Sequence, residues 1–159
     1  MNKILFICTG NICRSPTADG IMRQLLAQDN MSHIIVDSAA LYDYHIGESP
    51  DKRTIMTAKE RGYDLSNLVA RKVEIQDFYD FDLILAMDKG HFNELRKMAP
   101  KDAKAKVDLF LKYTGVKGIN EVPDPYYGGQ QEFDQVFDLI EQGAKLLLNR
   151  IKTKNRLLL

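Results

Sequence analysis

The sequence predicts one α/β domain built on a four-stranded parallel sheet with helices on both faces. Three observations predict it. The runs Lys3–Ile7 (KILFI) and Asp82–Met87 (DLILAM) are apolar almost without interruption, as strands buried on both faces must be. Such runs alternate along the chain with segments of helical period, the pattern of a parallel sheet with crossover helices. The 159 residues suit one compact domain, and no repeat, low-complexity tract or linker divides residues 1–159.

The elements follow in order. After KILFI comes a polar loop, Cys8 to Ser15, with a phosphate-binding composition. A helix is predicted next, with Ser15 as N-cap and Pro16 at the first helical position. Ala18, Ile21, Met22, Leu25 and Leu26 give it one buried face. Ile34–Ala39 reads as the second strand. Ser49-Pro50-Asp51 opens a helix that Gly62 stops. Asp82–Met87 is the third strand, followed by a helix over Lys89–Met98. Lys106–Leu111 (KVDLFL) is predicted as the fourth strand. Residues 114–131 are rich in Gly, Pro and Asp and read as a long loop. Phe133, Val136, Phe137, Ile140, Ala144, Leu147 and Ile151 mark a long amphipathic closing helix.

Composition narrows the function. The formal net charge is zero, so no global basic field attracts nucleic acid. The N-terminal apolar run is too short for a secretory h-region, and no stretch approaches the roughly 18 apolar residues of a membrane span. The terminal Leu157-Leu158-Leu159 is expected to pack or fray rather than anchor. Two cysteines, Cys8 and Cys13, do not staple a secreted fold, and His33, His45 and His91 are too scattered to complete a metal site. Neither a metal nor another cofactor is expected, and reduced thiols suit a cytoplasmic setting.

The chemistry lies in Cys8-Thr9-Gly10-Asn11-Ile12-Cys13-Arg14-Ser15. A short loop running into a helix N-terminus aims backbone N–H groups at one point, where the helix dipole adds positive potential. Gly10 and Asn11 both tolerate the positive φ that a tight loop needs. Arg14 adds a planar fork that matches two phosphate oxygens. Cys8 at the mouth of this cradle is placed as a thiolate for in-line attack on phosphorus. Ser15 is placed to donate a hydrogen bond to that sulfur. A bare Cys-x5-Arg spacing means little, since a buried cysteine and a surface arginine fall at that distance by chance. The preceding buried strand, the Gly-Asn pair and the Pro-started helix give it meaning.

The run Cys8 to Pro16 resembles the signature of the low-molecular-weight protein tyrosine phosphatases. Asp124-Pro125-Tyr126-Tyr127-Gly128 is similar to that family's acid loop, and Asp37-Ser38, Tyr44, Gly47, Ser49-Pro50-Asp51 and Leu85-Ala86-Met87-Asp88 follow its pattern. The resemblance implies metal-independent hydrolysis of phosphotyrosine proteins or small aryl phosphates through phosphocysteine. Cys8 would be the nucleophile, Arg14 the clamp and Asp124 the general acid and base. Thr9, Gly10, Asn11, Cys13 and Ser15 would form the phosphate end of the substrate site. Ile12, Tyr44, His45 and Tyr126 would line the entrance, where apolar and aromatic walls suit a phenyl ring. Asn11 and Ser38 would hydrogen-bond to each other and hold the loop. Phosphate and vanadate would inhibit, and a monomer or weak dimer is implied. Separately, the closeness of Cys8 and Cys13 in the loop suggests a reversible disulfide on oxidation, with Cys13 as a small core thiol the other reading. Tyr126 and Tyr127 resemble tyrosines that kinases phosphorylate in some relatives.

Some positions depart from the family pattern. Asp19, read as a first-turn residue, replaces a usual Glu, and Leu68 replaces a common His. His91 stands where many members carry Asn. Ala40-Leu41-Tyr42 differs from the Gly-Thr-Gly of many bacterial members. Four other functions compete. A three-cysteine arsenate reductase needs cysteines that this chain lacks, although a glutaredoxin-assisted route does not. Protein-arginine phosphatases carry Thr where Ile12 stands, so Ile12 favours a phenyl ring. A phosphocarrier of sugar transport needs neither Arg14 nor Asp124. A dead phosphate-binding module has no use for Cys8, Arg14 and Asp124 together.

Overall fold

The computed structural model describes the backbone of residues 1–157 and the side chains of residues 1–154. The terminal leucine side chains therefore lie outside the described residues. The elements run β1 (Lys3–Cys8), α1 (Arg14–Gln28), β2 (Ile35–Ala40), α2 (Lys52–Glu60), α3 (Asp77–Asp80), β3 (Leu83–Ala86), α4 (Lys89–Met98), β4 (Lys106–Leu109), α5 (Phe110–Thr114) and α6 (Gln130–Leu157). The sheet has four parallel strands in the order β2-β1-β3-β4.

β1 is paired on both edges, which explains its unbroken apolar run. Its side chains divide between two cores. Ile4, Phe6 and Cys8 face α1, α5 and α6, beside Ile21, Phe110 and Ile140. Leu5 and Ile7 face α3 and α4, beside Phe78 and Leu95. Helices thus cover both faces, as the sequence predicts. The chain leaves β1 towards β2, then crosses back to place β3 on the other side. The crevice between the carboxyl ends of β1 and β3 is therefore a topological switch point, where such folds bind ligands.

Three expectations change. β4 stops at Leu109, and Phe110–Leu111 begin α5 rather than end the strand. Both residues are fully buried, so their apolar run suits either conformation. The Phe110 ring meets Phe6 edge-on at 5.6 Å between centroids. It also fills the notch left by Gly143 of α6, where an added Cβ would lie 2.6 Å from the ring. Second, α1 begins at Arg14 with Cys13 as N-cap, two residues before Pro16. Asp19 accordingly lies in the second turn, not the first. Third, α3 has no counterpart in the prediction, being too short to show a period. The start of α2 matches its reading: the Asp51 side chain caps it by accepting the Arg53 N–H, and Gly62 follows at φ +87°.

Phe110 ties α5, α6 and β1 into one core. Phe110→Ala is expected to lower unfolding free energy by about 3–5 kcal/mol, measured by urea denaturation. A loss below about 1 kcal/mol would show that this contact is dispensable.

Candidate active site

The loop between β1 and α1 wraps the carboxyl end of the central strand. Asn11 adopts φ +57°, the left-handed conformation that the tight turn requires. Gly10 does not share it, contrary to expectation. Its lack of a side chain serves close approach instead, since a Cβ there would lie 2.8 Å from His45 Cδ2.

The Cys8 sulfur is buried at the base of the loop. It lies 3.0 Å from Ser15 Oγ and 3.4 Å from the Ser15 N–H, which donates to it. Either atom of the first contact could donate, and the bonds around Ser15 favour the hydroxyl. The Arg71 backbone N–H donates to Asn11 Oδ1 at 3.2 Å, which leaves Asn11 Nδ2 to donate to Ser15 Oγ at 2.7 Å. The serine oxygen is an acceptor there, so its own hydrogen is free for the sulfur. Ser15 thus has a hydrogen to give to Cys8, in the direction the sequence reading expects. The expected Asn11–Ser38 bond is not made. Ser38 donates to the buried Asp19 carboxylate at 2.8 Å, which Arg23 also meets at 2.6 Å. Burial raises the Asp19 carboxyl, opposed by Arg23 and Ser38. The Ser38 hydroxyl is therefore turned to Asp19 on α1 and not to Asn11.

Arg14 is 3% exposed, and its guanidinium is held on several sides. Nη1 donates to Asp88 Oδ2 at 2.9 Å and to the Val122 carbonyl at 3.0 Å, and Nη2 donates to Thr9 Oγ1 at 3.2 Å. Burial disfavours the Asp88 carboxylate, but the His91 N–H and Arg14 hold it below the usual carboxylate range. Asp88 lies two residues past the end of β3 and also caps α4, accepting the His91 N–H at 2.9 Å.

Asp124 arrives from far along the chain. The Val122 N–H donates to the Met87 carbonyl at 2.8 Å, which ties the segment to the end of β3. Two residues later Asp124 Oδ2 stands 3.7 Å from Arg14 Nη2, with Oδ1 accepting the Tyr126 N–H at 3.1 Å. The rest of this loop is fastened by Arg53. Its guanidinium pairs with Asp51, donates to the Tyr126 and Gly128 carbonyls, and lies 4.5 Å over the Phe133 ring.

A cavity of about 180 Å³ joins these parts. It is lined by Cys8, Thr9, Gly10, Ile12, Cys13, Arg14, Tyr44, His45, Asp124, Tyr126 and Tyr127. Ile12 forms an apolar wall, packed in a cluster with Cys13, Ala70 and Phe133 against which Tyr126 rests. Tyr44 is exposed and stacks on Tyr42 at 5.5 Å. Asn11, Ser15 and Ser38 do not line the cavity; the first two hold the sulfur and the loop from behind. Cys8 and Cys13 are both free. Burial, opposed by the Thr54 hydroxyl, pushes the Cys13 thiol up to about 12, so it stays protonated.

Residues 3–157 match the family model described as low molecular weight phosphotyrosine protein phosphatase. This chain belongs to that family. It is 38% identical to the low molecular weight protein-tyrosine-phosphatase YfkJ of Bacillus subtilis, over 99% of this chain and 100% of that one. A crystal structure of a protein tyrosine phosphatase from Entamoeba histolytica, with Hepes in its active site, aligns with TM-score 0.90 and 35% identity. That alignment covers 98% of this chain and 99% of the other. A Drosophila arginine phosphatase aligns with TM-score 0.89 and 34% identity, covering 94% and 98%.

Sequence reasoning read Asp88 as family pattern only and passed over Arg53 and Val122. Asp88 had one local signal, an Asp at the carboxyl end of a buried strand and ahead of a helix. Val122 had none, because its contribution is a backbone carbonyl. Leu68, at the position of a common His, packs against the main core, and Arg71 supplies the N–H that orients Asn11.

Arg53 orders the acid loop without lining the cavity. Arg53→Ala is expected to lower kcat on an aryl phosphate by about ten- to hundredfold, with little change in phosphate affinity. An unchanged kcat in a folded variant would show that the acid loop holds its place without Arg53.

Proposed function

We propose that this chain hydrolyses tyrosine phosphomonoesters, in proteins or as small aryl phosphates, through phosphocysteine on Cys8. One observation carries the reading: Cys8, Arg14 and Asp124, from distant parts of the chain, line the same cavity. The Cys8 thiolate attacks phosphorus while Arg14 clamps two non-bridging oxygens. The bond from phosphorus to the aryl oxygen breaks in line, and protonated Asp124 gives its proton to that oxygen. Water then attacks phosphorus, the Asp124 carboxylate takes its proton, and the P–S bond breaks. The Ser15 hydroxyl stabilises the departing thiolate. Inorganic phosphate and vanadate compete for the same cradle. Two free cysteines suit a cytoplasmic setting.

With p-nitrophenyl phosphate and a chelator present, wild type is expected to turn over and Cys8→Ser to be inactive. Asp124→Ala should be slower by about 10²–10⁴-fold. An inactive wild type that still binds phosphate would overturn the catalytic reading and direct attention to arsenate reduction or phosphocarrier function.

The likeness to an arginine phosphatase makes phosphoarginine the second reading. Ile12 supports the first. Its buried side chain offers a phenyl ring an apolar wall, whereas a guanidinium beside it finds no hydrogen-bond partner there. Wild type is therefore expected to prefer phosphotyrosine peptides, and Ile12→Thr to shift the ratio of kcat/KM towards phosphoarginine by about tenfold or more. A wild type that prefers phosphoarginine would reverse the assignment.

A further inference from the structure

A buried imidazole supports the phosphate loop from outside, and the two phosphotransfer steps do not use it. His91, in the first turn of α4, is 4% exposed. Its Nε2 lies 2.7 Å from Thr9 Oγ1, the same oxygen that takes an N–H from Arg14 Nη2 at 3.2 Å. A guanidinium can only donate, so Thr9 Oγ1 accepts from Arg14 and its own hydrogen is free for Nε2. The other ring nitrogen, Nδ1, stands 3.3 Å from Asp88 Oδ1, out of line for a hydrogen bond. A lone pair there would face a carboxylate oxygen, so the ring proton belongs on Nδ1. The charged groups around the ring are Arg14, Asp88 and Asp124. Burial first, and then Arg14, push the imidazole down to about 4, against the pull of the two carboxylates, so the ring is neutral at neutral pH.

We propose that His91 is a positioning residue for the phosphate clamp: with its ring proton on Nδ1, it accepts the Thr9 hydroxyl and so keeps a Thr9 lone pair turned to the Arg14 guanidinium. The proposal rests on the phosphatase reading and deepens it, by naming what orients the clamp. Without that acceptor, the Thr9 hydroxyl is free to rotate and present its hydrogen to Arg14. The guanidinium then loses one of its anchors just where it must meet phosphate. Protonation of the ring has a related effect, since Nε2 becomes a donor and a second positive charge appears beside Arg14.

The test compares His91→Ala with His91→Gln, whose side-chain oxygen can take the place of Nε2. Inorganic phosphate affinity is measured by calorimetry, and kcat and KM on p-nitrophenyl phosphate. His91→Ala is expected to weaken phosphate binding and raise KM by about tenfold, with a smaller change in kcat. His91→Gln should recover most of the loss. In a Thr9→Val background, His91→Ala should have no further effect. Nitrogen chemical shifts of the wild-type ring give a readout that needs no variant. They should show protonated Nδ1 and bare Nε2 at neutral pH, with titration near 4. A ring protonated on Nε2 overturns the proposal, as do equal losses in folded His91→Gln and His91→Ala, or additive losses in the Thr9→Val background. Calorimetry and ring shifts do not require turnover. A wild type that binds phosphate without hydrolysing it defeats the phosphatase reading and leaves the His91 result to be judged separately.

Discussion

The buried positive charge of Arg14 is the constraint on which the site depends. A guanidinium removed from water needs a hydrogen-bond partner for each donor it cannot give to substrate, and leaving such a charge unpaired costs about 3–5 kcal/mol. Its partners come from separate parts of the fold. Thr9 comes from the loop after β1, Asp88 from the end of β3, and the Val122 carbonyl from the segment that carries Asp124. Satisfying Arg14 therefore closes the crevice between β1 and β3 and brings the acid loop over it. The residue that binds substrate phosphate also holds together the pieces that act on it.

Hydrogen-bond direction is a second ordering device. From the Arg71 N–H the polarity runs through Asn11 and Ser15 to the Cys8 sulfur. From Arg14 it runs through Thr9 towards His91. Each chain starts at a group that can only donate, which leaves the hydroxyl after it a hydrogen to give onward. The first chain delivers hydrogen to the atom that must carry negative charge. The second turns a hydroxyl lone pair to the cation that must stay in place. Both sit in a setting of low polarizability, where such bonds are strong and misdirected ones costly.

Much of this was legible in the sequence. KILFI and DLILAM announced strands buried on both faces, and the loop's composition marked it as an anion cradle. Other features were not legible, for identifiable reasons. Phe110 and Leu111 are apolar and buried whether they end a strand or begin a helix, so only the turn of the chain towards α6 settles them. Gly10 was read as a conformational device and proves to be a steric one, because His45 approaches it from 35 positions later. The Asn11–Ser38 bond was carried over from the family. Here the Asp19 carboxylate takes the Ser38 hydroxyl, and Asn11 finds the Arg71 backbone instead.

By itself the sequence determined the alternation of strands and helices, the loop that carries the nucleophile and clamp, and the apolar identity of the pocket wall at Ile12. These depend on short-range patterning, where hydrophobic period and residue type suffice. Tertiary structure alone decided which partners satisfy Arg14, where the acid loop is fastened, and which groups each loop hydroxyl meets. Those outcomes depend on backbone groups and side chains brought together across the β1–β3 crevice, and distance in the chain hides them until the sheet is formed.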